Sequence, residues 1–245
     1  MSDSTRCARA VFFDLDDTLL AYDVGQERCW RVACARHAPP HAFPPVDVLV
    51  QAMRAQAEWF WSDDERHRKG RLNMATARRR IVADALRGLG RPNDELADAI
   101  ADDFSAERDK EVAPIRGAIE TVHGLRSLRL CVGLITNGES AMQRGKLTRF
   151  GMQGLFDIIL IEGELGFGKP EARVFELALE RSGTIPEQTW MVGDRPHWDI
   201  IPPARMGWRT AWIRRPGAQW PAGAGITPTL TASSVAELSA DRLLT

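Results

Sequence analysis

The chain has 245 residues, of which 27% are charged and 44% hydrophobic, and a formal net charge of −1. That length and balance suit a soluble globular protein built as one large domain, or as a core with a smaller partner. The near-neutral charge gives no reason to expect nucleic-acid or membrane binding. With no apolar run of ~18 residues and no apolar signal segment at the start, no membrane crossing is expected.

Val11 to Phe13 is a short apolar run of the kind that forms a fully buried strand, and it stops at Asp14-Leu15-Asp16. This places two carboxylates at the carboxyl edge of a sheet, where open α/β folds bind ligands. Unpaired charges are costly to bury there, and a hard cation such as Mg²⁺ is the natural partner. From about Ala21 to Val112 no strand pattern occurs, and four helical faces follow one another. The first carries Cys29, Trp30, Ala33, Cys34 and His37. The second carries Val46, Leu49, Val50, Met53, Ala57 and Phe60. Leu72, Ala75, Val82, Leu86 and Leu89 make the third. Leu96, Ile100 and Phe104 make the fourth, with Asn93 as its N-cap. Four such stripes can bury each other in a small helical bundle.

From Pro114 onward helices and strands alternate. Helical stretches are expected around Ile119 to Leu128, Ser140 to Phe150 and Ala172 to Ser182. Strands are expected at Leu130 to Ile135, Phe156 to Ile161, Trp190 to Val192 and Arg209 to Ile213. Alternation of this kind implies parallel pairing with right-handed crossovers, an α/β doubly wound sheet. Gly217 to Thr227 is a Gly/Pro/Ala-rich connection. Ser234-Val-Ala-Glu237 has the form of a capping box that starts a last helix, with Val235, Leu238 and Leu243 facing the core. The bundle therefore interrupts the sheet domain: residues 1–20 and 113–245 form a Rossmann-like core, and residues 21–112 an inserted helical domain.

The cysteines Cys7, Cys29, Cys34 and Cys131 include no Cys-x-x-Cys pair, which makes a zinc site unexpected. Free thiols in a cytoplasmic protein are the default, with Cys131 as a small core residue.

Four short motifs occur in order, each at the end of an expected strand: Asp14-Leu15-Asp16-Asp17-Thr18, Thr136-Asn137-Gly138, Gly168-Lys169-Pro170, and Gly193-Asp194 with Asp199. Together they resemble the four motifs of the haloacid dehalogenase superfamily of phosphohydrolases, over about Val11 to Trp212. The resemblance implies a helical cap inserted between the first and second motifs, and Mg²⁺-dependent hydrolysis of a small phosphorylated metabolite. Asp14 would be the nucleophile and Asp16 the acid and base. Asp14, Asp194 and the backbone carbonyl of Asp16 would hold the metal, and Asp199 would orient waters or Lys169. Thr136, Asn137 and Gly138, at the start of a helix, would bind phosphate with Lys169.

Each of these residues also has a plain structural role to fill. Asp16 and Asp17 can start a turn capped by Thr18, with Asp17 exposed or capping. Thr136 or Asp199 can cap a helix, Pro170 can start one, Lys169 can be a solvated charge, and His197 can be a loop residue. Trp198 stands where the family often has a small polar residue. Pro202-Pro203 fall in what should be the first turn of the next helix. The helical insertion and the Gly163 to Pro170 loop look similar to the branch with N-acylneuraminate-9-phosphatases, pyrimidine nucleotidases and phosphoglycolate phosphatases. Trp59, Trp61, Arg71, Asn73 and Arg78, around the turn between the second and third helices, are candidates for contact with the leaving group. Their alternative is packing for the tryptophans and solvated helix faces for the arginines. A haloacid dehalogenase, a phosphomutase and a catalytically silent binding protein are the alternatives on the same fold. Oligomeric state is not readable.

Overall fold

The computed structural model describes residues 8–37, 44–238 and 242–243. Cys7 and the Pro39-Pro40 pair lie outside the described residues. The chain divides into two compact units, Met1–Ala21 with Ala113–Thr245, and Tyr22–Val112.

The first unit is built on strands β1 (Ala10–Phe13), β4 (Cys131–Thr136), β5 (Ile158–Ile161), β6 (Thr189–Gly193), β7 (Arg209–Ile213) and β8 (Leu230–Ala232). They form one sheet in the order β5-β4-β1-β6-β7-β8, with every neighbouring pair parallel. The strand pair β2 (Leu20–Ala21) and β3 (Ala113–Pro114) is separate and antiparallel. Helices α6 (Ala118–Ser127), α7 (Ser140–Arg149), α8 (Glu162–Leu165), α9 (Ala172–Ser182) and α10 (Ile201–Arg205) connect the strands.

β1 lies between β4 and β6, and its four residues are fully buried. Strand order reverses on either side of it, so a crevice opens at its carboxyl end. One face of the sheet packs Ala10, Phe12, Ile135, Leu160 and Met191 against Val174, Phe175 and Ala178 of α9, with Trp208 beside them. The rings of Phe12 and Phe175 each lie 5.7 Å from that of Trp208. Gly133 of β4 has no side chain because a Cβ there would fall 2.2 Å from the Phe12 ring.

Three local expectations are corrected. β8 was not anticipated: it has three residues, only Ala232 is buried, and an edge strand this short carries no alternation to read. The turn at Val235–Glu237 is a 3-10 turn; Ser234 Oγ accepts from the Ala236 N–H, while Glu237 reaches back to Ser233 rather than to Ser234. Val235, Leu238 and Leu243 are buried, and residues 239–241 lie outside the described part. Cys131 is half-buried at the start of its strand, packed against the edge of the core, whereas Cys29 and Cys34 are buried free thiols.

The described residues of the second unit form five helices, not four: α1 (Gln26–His37), α2 (Val46–Trp61), α3 (Asp64–Arg71), α4 (Met74–Gly88) and α5 (Asp94–Glu111). α1, α2, α4 and α5 share a core in which the Trp30 ring stacks on Phe104. Asn93 caps α5 as expected, accepting from the Leu96 N–H at 2.9 Å. The buried stripe of α4 includes Ala77, Ile81, Val82, Ala85 and Leu86; Ala75 is exposed. α3 occupies what looked like a turn. Its sequence, Asp-Glu-Arg-His-Arg-Lys-Gly-Arg, has no apolar stripe. It is held by its Asp63 cap, by acids in the first turn and by bases in the last. No helix among the described residues is long and apolar enough to cross a membrane.

Candidate active site

Asp14 is the first residue beyond β1. Its N–H donates to the Val192 carbonyl at 2.9 Å, which extends the ladder by one residue and fixes where the side chain emerges. Lys169 Nζ lies 2.6 Å from Asp14 Oδ1 and 2.8 Å from Asp199 Oδ1. Carboxylate oxygens of Asp14, Asp194 and Asp199 all lie within 4.8 Å of one another. These four side chains are buried.

Two of the three carboxylates therefore share one buried ammonium, and the third, Asp194, meets the half-exposed Arg195 at 3.4 Å and Arg215 at 3.6 Å. Burial pushes Asp14 up to about 7; the Lys169 charge opposes this and Asp199 adds to it. Burial, then the charges of Asp14 and Asp199, push Asp194 up to about 8. Burial works against the Lys169 charge too, but Asp14 and Asp199 outweigh it and hold the amine above the usual lysine range. The excess of negative charge calls for a further cation or for protons. Asp194 Oδ1 is buried without a hydrogen-bond partner, and hard carboxylate oxygens are what Mg²⁺ takes. The donor set fits that ion.

The chain turns sharply after Asp14. The N–H groups of Leu19 and Leu20 both donate to the Leu15 carbonyl at 2.9 Å, and Asp17 takes a left-handed φ of 64°. Asp17 is not exposed. It is buried, with Oδ2 2.9 Å from Arg215 Nη1, and the same nitrogen lies 3.6 Å from Asp194 Oδ2. The Asp16 carboxylate stands apart from the trio: both oxygens lie 2.7 Å from Lys146 Nζ, and Oδ2 accepts from Gln143 at 3.1 Å.

Thr136 ends β4 and is buried. Thr136 to Gly138 do not start the following helix, since α7 begins at Ser140 with Glu139 at its cap position. The Gly138 N–H is not offered to a ligand; it donates to Glu162 Oε2 at 3.0 Å. Asn137 acts as a splint. Its Nδ2 donates to the Lys169 carbonyl at 2.7 Å and its Oδ1 accepts the Lys169 N–H at 2.9 Å. Gly168 lets the two loops meet, because a Cβ there would lie 2.5 Å from Asn137 Oδ1. Pro170 precedes α9 rather than starting it, with Glu171 at the cap position.

Asp199 does not cap a helix. It lies within a π-helical turn, Pro196–Ile200, and its Oδ2 accepts the Arg195 N–H at 2.9 Å. α10 then starts at Ile201, so Pro202 and Pro203 fall in a first turn that has no need of their N–H groups. Trp198 is half-buried in the π turn, and Asp199 stays directed at Lys169 despite it. Gly193 makes room: a Cβ there would lie 2.4 Å from Asp199 Cβ. His197 is exposed on the same turn.

In the helical unit the expected exposures are partly reversed. Trp59 is 48% exposed, with the Arg66 guanidinium 3.9 Å from its ring centre. Trp61 is half-buried, edge-on to Phe60 and His67. Arg71 and Arg78 are not solvated: both are buried, Arg71 beside His67 Nδ1 at 3.2 Å and Arg78 donating to the Tyr22 hydroxyl at 3.1 Å. Asn73 caps α4 through the Thr76 N–H.

Residues 8–207 match the family model of haloacid dehalogenase-like hydrolases. The chain is 30% identical to the pyrimidine 5'-nucleotidase YjjG of Escherichia coli over 233 residues, covering 93% of this chain and 95% of that one. It is 36% identical to the phosphoserine phosphatase of Thermus thermophilus, covering 84% and 89%. Among solved structures, the hydrolase YfnB of Bacillus subtilis, bound to magnesium, superposes with a TM-score of 0.72 at 22% identity, over 94% of this chain and 96% of that one. A parallel sheet with Asp14 beyond its central strand, Lys169 between two aspartates, and a match over most of its length agree: the chain belongs to the haloacid dehalogenase-like hydrolases.

Proposed function

We propose that this hydrolase is a Mg²⁺-dependent phosphatase that cleaves a small phosphomonoester through an aspartyl-phosphate on Asp14. The observation that carries the reading is the buried trio Asp14, Asp194 and Asp199, in which Lys169 pairs with Asp14 and Asp199 and Asp194 Oδ1 is unpartnered. A phosphomonoester dianion cannot approach that much negative charge unaided. Asp14 and Asp194, with the backbone carbonyl of Asp16, would hold the ion, which supplies the positive charge that the phosphate oxygens meet. The kinship with a nucleotidase and a phosphoserine phosphatase points the same way.

The residues divide the work. Asp14 attacks phosphorus, the bond to the leaving oxygen breaks, and Asp16 gives that oxygen a proton. A water then attacks the aspartyl-phosphate, passes its proton to Asp16 and restores the Asp14 carboxylate. Lys169 neutralises Asp14 and the transferring group, held in line by Asp199 and by the Asn137 splint. The Thr136 hydroxyl meets a phosphate oxygen. Asp16 and Asp194 argue against dehalogenation, which needs neither a leaving-group acid nor a metal. Residues 22–112 act as the cap that selects the substrate, a sugar phosphate, nucleotide or phosphoglycolate-like acid. Of the five side chains considered for that selection, Trp59 and Asn73 are exposed.

The experiment is phosphate release from a panel of phosphorylated sugars, nucleotides and small acids, with Mg²⁺ and with EDTA, for wild type and Asp14→Asn. EDTA-sensitive release that disappears in the variant is expected. No release from any member by folded wild-type protein would overturn the reading.

A further inference from the structure

α7 contributes two side chains that none of the four motifs contains. Gln143 and Lys146 stand three residues apart on one face of the helix and are 1% and 8% exposed. Lys146 Nζ grips both Asp16 oxygens at 2.7 Å. Gln143 Nε2 lies 3.1 Å from Asp16 Oδ2, 2.6 Å from Thr136 Oγ1 and 3.0 Å from the Asn137 carbonyl. The next residue, Arg144, points elsewhere and pairs with Glu164 at 2.8 and 2.9 Å.

Asp16 sits in a turn, beyond the last ladder bond of β1. Its direction is set from outside that turn, by Lys146 through both oxygens and by Gln143 through one. Gln143 also touches the hydroxyl proposed to meet phosphate. One helical face thus ties the first motif to the second. A carboxylate that must move a proton to a leaving oxygen works only within a narrow range of positions, and a two-oxygen grip removes its rotamer freedom.

The geometry points to Lys146 and Gln143 as positioning residues that hold Asp16 where it can protonate the leaving group, with Gln143 registering Asp16 against Thr136. The inference rests on the phosphatase reading and goes beyond it, because it assigns a role to two residues outside the motif set. Bond changes are those of the first step above: Asp14 to phosphorus forms, phosphorus to leaving oxygen breaks, and Asp16, entering the step protonated, gives that oxygen its proton and becomes the carboxylate that Lys146 and Gln143 hold.

A positioning role differs from a merely structural one in its dependence on the leaving group. kcat/KM reports steps up to release of the alcohol. An alkyl phosphate needs the proton; p-nitrophenyl phosphate, with a stable leaving anion, needs it little. Lys146→Met is expected to lower kcat/KM for the best alkyl phosphate of the panel by about 10²-fold, in the range of general acid catalysis, and that for p-nitrophenyl phosphate by less than about 10-fold. Lys146→Arg, which keeps a two-pronged donor, is expected to restore most of the loss. In an Asp16→Asn background, Lys146→Met is expected to add little, because the group it positions is already gone. Arg144→Ala, on the same helix, is expected to behave as wild type. The ratio between the two substrates does not depend on the folded fraction, so partial unfolding cannot imitate the result. An equal fall for both substrates, or full additivity with Asp16→Asn, would overturn the positioning role and leave the phosphatase reading intact. Absence of turnover of either substrate by wild type would overturn that reading and this inference with it.

Discussion

Two ion pairs of nearly equal length show how differently the two units use charge. Lys169 and Asp199 lie 2.8 Å apart at the sheet edge, with side chains 2% and 1% exposed. Arg79 and Asp102 lie 2.8 Å apart on the helical unit, with side chains 45% and 57% exposed. Length does not separate them; water does. The exposed pair is screened and each partner is well solvated alone. The buried one cannot lose a partner without stranding a charge. Charge at the sheet edge is therefore a chemical resource. On the helical surface it is mostly solubility and register.

The largest effect should come from the sheet edge. Asp14→Asn removes the carboxylate proposed to attack phosphorus, and a loss of at least about 10⁴-fold in kcat is expected from phosphate release. A variant retaining about a tenth of wild-type activity would end the role given to Asp14. Lys169→Met leaves Asp14, Asp194 and Asp199 facing one another, and about 3–5 kcal/mol of stability should go at neutral pH. Urea unfolding that shows less than about 1 kcal/mol would break the comparison, since burial would then not rank the pairs.

Metal and pH sharpen it further. Asp14 and Asp194 have carboxyls raised to about 7 and about 8, so between about pH 4 and these values the folded chain binds more protons than the unfolded one. Stability of the metal-free protein should thus be highest at the acid end of that window and fall as pH rises through it. On the proposed reading Mg²⁺ would take the place of those protons. Its stabilisation, about 2.7 kcal/mol at a hundred times Kd, should appear at about pH 8 and shrink toward about pH 5. Equal shifts in Tm at both pH values would contradict the assignment of these carboxylates to the ion.

Among the described residues the helical unit has buried charges of its own, and Arg108 is the least exposed of them. Arg108 is 2% exposed and donates to the carbonyls of Tyr22 and Val24. Arg108→Met should cost about 2 kcal/mol, read from urea unfolding, and a cost below about 0.5 would show that these carbonyls are readily solvated. At the small end, Arg79→Ala should leave Tm unchanged.

The sheet edge was legible because its residues come in clusters placed by backbone. An apolar run followed by Asp14-Leu15-Asp16 announces a strand end, and Gly193-Asp194 does the same at the end of β6. What stayed hidden were partners set by tertiary packing alone. Lys146 and Gln143 look like ordinary polar positions on a helix, and Arg215 like a loop charge. The i, i+3 spacing of Gln143 and Lys146, one helix beyond Thr136, was the only available signal, and it is common. Gly138 misled because a glycine after a strand suggests a free N–H, whereas Glu162, distant in sequence, occupies it. α3 was missed because charge and capping, rather than a stripe, hold it. Arg71 and Arg78 defied a composition rule: arginine is usually exposed, but here a histidine and a tyrosine give each a half-buried partner.

The antiparallel pair of Leu20–Ala21 with Ala113–Pro114 has a consequence for how such a chain can be rebuilt. The segment between them begins and ends at neighbouring points, one strand spacing (~4.8 Å) apart. It can be treated as a cassette. A turn of a few residues would close Ala21 onto Ala113, and another helical insert with adjacent ends could be spliced at the same two positions. Asp14, Thr136, Lys169, Asp194 and Asp199 all lie outside the exchanged stretch. Diversification of a scaffold of this kind therefore needs only two junctions, and neither passes through the residues proposed to do the chemistry.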